Sequence, residues 1–179
     1  MTLAGQILRF HAPGVARRRA LRELLQVTAD AFGVISPSAD GSVDELLQRY
    51  AAFTAEQAKA ALRSGRDLRA TRRALYVSTF GMGGRLRQQL GVKSAADVMV
   101  AARAVYRVLG IDLRGTIDGE IRIERCYFSR LYSAPVCDLI STLDQGLLAG
   151  LSGGGRLEFR QRITEGAPRC LATLTEVSL

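Results

Sequence analysis

Three cysteines and one aspartate in the last third of the chain are the residues best suited to chemistry. They are Cys126, Cys137, Asp144 and Cys170. A deprotonated thiol can act as a nucleophile or a metal ligand, and a carboxylate can act as a general base. Cys137 and Asp144 are seven residues apart, a spacing that places two side chains on nearly the same face of a helix. We therefore expect this pair to face the same space.

The pair lies on a helix predicted from Ala134 to about Leu151, with Pro135 in its first turn. Asp144 falls near one edge of the apolar stripe of this helix. The residues predicted to face solvent are Asp138, Ser141, Thr142 and Gln145. A carboxylate within a buried stripe is costly unless it is paired or hydrogen-bonded. Asp144 therefore either has a function or pairs with an arginine at the rim of the core.

The other two cysteines lie on predicted strands. Alternation places Cys126 on the more polar face of its strand, with Arg122 and Glu124, whereas Cys170 begins the last strand. No two cysteines have the close spacing of most zinc sites, so a divalent metal bound through the cysteines would need Asp144 or His11 as a further ligand. Packing of each thiol as a small apolar group is the alternative interpretation.

The elements that must position these residues divide the chain into two regions. Residues 1–110 form a helical N-terminal region with helices predicted at 15–33, 43–64, 67–90 and 95–109. Ser42 and Glu45 predict a capping box at the second helix. Gly81, Gly83 and Gly84 are predicted to break or kink the third helix.

The period of the apolar residues changes to two after Gly110. Strands are predicted at 111–117 and 120–127 around an Asp118-Gly119 turn, and at 156–164 and 169–177. These two β-hairpins flank the helix that carries Cys137. Residues 111–179 are thus an α+β region with the candidate site, in which an antiparallel sheet packs against helices.

Composition limits the classes of function. The chain has 25 Lys and Arg against 17 Asp and Glu, a net charge of +8, and only Lys59 and Lys93 are lysine. We interpret the arginines as residues on the solvent-exposed faces of helices. A nucleic-acid partner is therefore the less favoured alternative. Arginine interrupts every long apolar run and the N-terminus has no signal-peptide pattern, so we expect a cytoplasmic protein without a membrane span.

The C-terminal third resembles the L-2-amino-thiazoline-4-carboxylic acid hydrolase family. The motifs that carry the resemblance are Cys126, then Cys137 followed by Asp144, Gly146 and Gly150-Leu151, then LEFRQRITEGAPRCLATL with Phe159, Gly166 and Cys170. They cover about residues 126–177. Tyr127 after Cys126 and Ala167 after Gly166 depart from the family's usual proline and acidic residue, which leaves the substrate open.

The resemblance implies a hydrolase-like protein that opens a C–N or C=N bond in a small thiazoline or related heterocycle. The three cysteines would be the thiol or ligand set, Asp144 a general base or orienting carboxylate, and an arginine would hold a substrate carboxylate. Two alternatives stay open: a non-catalytic sensor module that binds a small molecule or a metal, and a basic nucleic-acid-associated protein. A homodimer through the N-terminal helices is one expected assembly.

Overall fold

The computed structural model describes residues 14–65, 67–175 and 177, and shows the α+β class that the sequence predicts. The elements in these residues are helices α1 (Gly14–Phe32), α2 (Val43–Arg63), α3 (Leu68–Leu90), α4 (Ala95–Val108) and α5 (Ala134–Ser152), and strands β1 (Ile111–Gly115), β2 (Glu120–Cys126), β3 (Arg156–Gln161) and β4 (Cys170–Thr175). Two short 3-10 helices, Tyr127–Arg130 and Ile163–Glu165, follow β2 and β3. The predicted capping box of Ser42 and Glu45 is present at the start of α2.

The four strands form one antiparallel sheet in the order β1-β2-β4-β3. Each predicted hairpin forms, and the two hairpins join where β2 pairs with β4, with Ile123 opposite Cys170. The strand predicted at 156–164 ends earlier, at Gln161, because the chain turns into the second 3-10 helix. This turn places the backbone nitrogen of Ile163 3.4 Å from the sulfur of Cys170 at the start of β4.

A β-bulge in β2 corrects the predicted orientation of Cys126. Asp112 pairs with Arg125 and Leu113 pairs with Ile123, so Glu124 is an extra residue without a partner on β1. One extra residue reverses the inside-outside alternation beyond it. Cys126 consequently leaves the polar face and lies on the side of the sheet that packs against the helices.

Helix α3 is continuous through its glycines, so the predicted break at Gly81, Gly83 and Gly84 is wrong. Of these three glycines, Gly83 is needed for close packing against α5, because a Cβ on Gly83 would lie 2.2 Å from the carbonyl oxygen of Leu147. The Thr79 hydroxyl also donates a hydrogen bond of 2.9 Å to the carbonyl of Leu143 on α5. The tertiary contact therefore outweighs the low helix propensity of glycine.

Helix α5 is the central helix and is covered on two sides, by the sheet and by α3. Ser141 and Thr142 are each only 3% exposed, so their predicted position on the solvent side is wrong. Arg72 on α3 donates to the Thr142 hydroxyl at 3.2 Å. One hydrophobic core runs through the helical and the α+β regions. None of the described helices has the length and apolar character needed to cross a membrane.

Candidate functional site

All four residues singled out from the sequence line one pocket beside the N-terminal half of α5. The cavity volume of the pocket is about 70 Å³, and the space between its atoms is about 560 Å³ when the part at its mouth that is open to solvent is included. Cys137 and Asp144 come from α5, Cys126 from the end of β2 and Cys170 from the start of β4. Aliphatic and aromatic side chains make up most of the remaining wall, including Leu109, Ile111, Phe128, Ile140, Leu143 and Ile163.

Among the described residues that line this pocket, Asp144 is the only one with a carboxylate. The Tyr106 hydroxyl, on α4, donates a hydrogen bond of 2.8 Å to its Oδ1. Burial raises the pKa of Asp144 to about 6, against the opposing effects of the Tyr106 hydrogen bond and the positive charge of Arg162. Asp144 is partly exposed, and its hydrogen-bond partner is the buried phenol of Tyr106 instead of the arginine expected for a residue at the rim.

Two further tyrosines lie near Asp144. Tyr50 on α2 and Tyr132 after β2 both line the pocket. Burial raises the pKa of each phenol, and the negative charge of Asp144 adds to the increase. Tyr132 is hydrogen-bonded to the Thr54 hydroxyl through a very short contact. These phenols are neutral at physiological pH and can serve as hydrogen-bond donors and acceptors.

The three thiols are protonated at neutral pH. Burial raises the pKa of Cys126 to about 12, and burial is also the main cause of the raised pKa values of Cys137 and Cys170. The backbone nitrogen of Ile163 lies 3.4 Å from the sulfur of Cys170, and the Thr164 hydroxyl lies beside Cys137. Each group lowers the pKa of its neighbouring thiol, but by less than burial raises it. A cysteine that acts as a nucleophile at neutral pH needs the opposite shift.

This protonation can be measured by alkylation. We expect iodoacetamide to modify Cys126 in the native protein about a thousandfold more slowly at pH 7.5 than free cysteine, because a pKa near 12 leaves very little thiolate. Mass spectrometry of timed samples gives the rate for each thiol. The urea-unfolded protein is the control, and all three cysteines should react there at ordinary rates. Rapid native labelling of Cys126 would show an activated thiolate instead.

The described residues of the pocket show no ligand set for a metal ion. No group of three His, Cys, Asp or Glu side chains within residues 14–65, 67–175 and 177 is arranged to hold one. His11, the other ligand considered from the sequence, lies outside the described residues. The three cysteines thus share a pocket without forming a ligand set.

Arg162 lies beside the pocket and is only 13% exposed. Its guanidinium pairs with Asp138 at 3.2 Å and with Glu165 at 3.4 Å, and it stacks on the ring of Phe159 at 4.7 Å. Asp138 in turn pairs with Arg72 from α3. Because two carboxylates already bind its guanidinium, we interpret Arg162 as a fixed positive charge near Asp144 and not as the main binding group for a substrate carboxylate.

The helical region also contributes to the site, which the sequence does not indicate. Tyr50 and Leu109 line the pocket, and the hydroxyl of Tyr106 donates a hydrogen bond to Asp144. The tyrosines lie within the apolar faces of α2 and α4, where they look like ordinary core residues. The one available signal was Asp144 itself, which required a buried partner somewhere else in the chain.

Comparisons of the chain with models of protein families, with curated proteins and with solved structures return no match.

Proposed function

We propose that this protein is a hydrolase that opens a C–N or C=N bond in a small heterocycle of thiazoline or cyclic amidine type. The observation that carries the proposal is the carboxylate of Asp144, which lines a mainly apolar pocket and has a pKa of about 6. Such a carboxylate is mostly ionised at pH 7 and still basic enough to take a proton from water. This is the property that a general base requires.

In the proposed reaction, water attacks the carbon of the C=N bond. A C–O bond forms while Asp144 takes one proton from the water. The electron pair of the C=N double bond moves to the nitrogen, which takes the proton back from Asp144 and gives a tetrahedral adduct with a hydroxyl and an amine. Asp144 then takes the hydroxyl proton, a carbonyl forms as the C–N bond breaks, and Asp144 gives this second proton to the departing nitrogen. Asp144 ends in its starting state, so the net change is the addition of one water molecule to the substrate.

The structural arrangement supports different roles for the other site residues. Tyr106 orients Asp144 through the 2.8 Å hydrogen bond to Oδ1. Cys126, Cys137 and Cys170 remain site residues, but as protonated thiols that shape the pocket wall and offer weak S–H donors. The phenol of Tyr50 is a candidate donor to the polar edge of a bound heterocycle.

The proposal is tested by incubating the purified protein with 2-amino-thiazoline-4-carboxylate, 2-methylthiazoline and a cyclic amidine. Mass spectrometry should detect a product that has gained one water from at least one of them. Protein alkylated at its cysteines after unfolding is the inactive control. Binding of these compounds without formation of any product would contradict the proposed hydrolase activity.

That outcome would favour the second candidate, a non-catalytic module that senses a small molecule. Its supporting observation is the protonation of all three thiols in a pocket whose wall is mostly apolar. Such walls are typical of binding sites for small molecules in general. Ligand-dependent stabilisation of the fold, measured together with the absence of turnover, identifies this case.

A further inference from the structure

The mouth of the pocket opens onto a wide depression lined by arginines, which we call the arginine basin. Its lining includes Arg103, Arg107, Arg114, Arg125 and Arg130. The basin contains about 1700 Å³ of space between atoms, much of it open to solvent. Ile111, Cys126, Ser129 and Ile163 line both the pocket and the basin. A molecule held in the pocket can therefore extend into the basin.

The carboxylates in the basin already have basic partners. Glu124 pairs with Arg169 at 3.4 Å and with Arg122 at 3.9 Å. Asp112 lies 3.8 Å from Arg114. The basin therefore has arginines in excess of its acidic groups, and its electrostatic potential next to the pocket mouth is positive.

Three of the basin arginines have no such partner. Arg103, Arg125 and Arg130 are exposed, and none of them makes an ion pair with any residue that the structure describes. They come from three different elements, since Arg103 lies on α4, Arg125 on β2 and Arg130 on the 3-10 helix after β2. A solvated stripe on one helix would not bring arginines from three elements to one depression.

The bulge in β2 connects the pocket with the basin. The same extra residue that turns Cys126 toward the helices leaves the neighbouring Arg125 exposed on the other side of the strand. Adjacent residues thus supply a wall of the pocket and a charge at its mouth. A ligand with an apolar end and an anionic end would satisfy both.

We propose that the ligand of the pocket is an organic phosphate, with a small apolar or heterocyclic end in the pocket and its phosphate among Arg103, Arg125 and Arg130. The proposal rests on the proposed function in one respect, that the pocket binds a small molecule. Guanidinium groups bind phosphate through paired, charge-assisted hydrogen bonds, which explains the preference over a neutral group. Continuity with a mainly apolar pocket favours a small ligand over the backbone of a nucleic acid.

The test compares 2-phenylethyl phosphate with the neutral 2-phenylethanol and the carboxylate 3-phenylpropionate by isothermal calorimetry. We expect the phosphate to bind at least about tenfold more tightly than the alcohol, with the carboxylate between them. The variant R103Q/R125Q/R130Q should lose this advantage and bind the alcohol as the wild type does. The preference should also weaken as ionic strength rises, because exposed charges are screened.

The control variant R18Q/R19Q/R73Q removes the same charge from exposed arginines on α1 and α3, outside the basin, and should keep the preference. Equal binding of phosphate and alcohol by the wild type would overturn the phosphate assignment and leave the pocket as a binding site. Failure of all three compounds to bind would count against the pocket itself, and so against the proposed function. Binding of duplex DNA that is lost in R103Q/R125Q/R130Q, without a preference for the small phosphate, would show that the basin binds nucleic acid.

Discussion

Asp144→Asn should reduce turnover by about 10²- to 10⁴-fold, the usual contribution of a general base, while leaving the pocket intact. Asparagine has the same shape as aspartate and can still accept the hydrogen bond from Tyr106 through its carbonyl oxygen. It cannot take a proton from water at neutral pH. The measurement is kcat/KM on the compound that gives the highest turnover in the wild type.

The same substitution should stabilise the fold at pH 8, by about 3 kcal/mol. Burial raises the pKa of Asp144 from 3.8 to about 6, so the native state binds this proton more tightly than the unfolded state does. The stabilising effect of the proton is fully present below the unfolded pKa, near 4, and is lost as pH rises through about 6. The neutral amide of asparagine does not cause this loss of stability at high pH. The difference in stability between the variant and the wild type should therefore disappear near pH 4.

Urea unfolding of both proteins at several pH values separates this explanation from simple damage. A variant that loses activity and also loses stability at pH 8 would indicate that Asp144 is a structural residue. A variant that keeps full activity would remove Asp144 from the reaction. A role of Asp144 as general base requires both lost turnover and gained stability in the variant. This combination is common where a functional charge is kept in an unfavourable environment.

Gly150→Ala should destabilise the protein by at least about 3 kcal/mol, a large effect for the addition of one methyl group. A Cβ at Gly150 would lie 2.1 Å from the carbonyl oxygen of Phe80 and 2.8 Å from the backbone nitrogen of Gly84. Both atoms belong to the backbone of α3 and cannot rotate away. The two helices would have to separate, which outweighs the gain of about 1 kcal/mol in helix propensity.

Gly84→Ala is the matched control, because Gly84 lies within α3 and a Cβ there would have no neighbour within 4 Å. We expect this variant to be as stable as the wild type or more stable by up to about 1 kcal/mol. The midpoint of urea unfolding measures both effects. Equal stability of the Gly150 variant and the wild type would show that α3 and α5 do not approach as closely as described.

The elements could be predicted because local patterns determine them. The change from helical to alternating apolar spacing after Gly110 identified the α+β class, and Asp118-Gly119 identified the first hairpin. The packing of α3 against α5 could not be predicted, because Gly83 and Gly150 are unfavourable in an isolated helix and valuable only when two helices meet. Local propensity therefore suggested a break at the point of closest contact.

Residue spacing alone predicted only the part of the site that lies within one element. Cys137 and Asp144 share a helix face through their seven-residue separation, and both line the pocket. Cys126 was assigned to the wrong face, because the bulge at Glu124 has no clear signature in alternating residues. Tyr106 is 38 residues from Asp144 in the chain and meets it only through the tertiary fold. The chemistry of the pocket therefore depends on contacts that local patterns do not encode.

The dependence of kcat/KM on pH tests the central claim most directly, because Asp144 and the thiols should ionise in different ranges. With Asp144 as the base, kcat/KM should rise about tenfold for each pH unit below its pKa of about 6 and become constant above it. A profile that stays flat through this range and rises only in alkaline solution would indicate a thiolate instead, and would contradict the account.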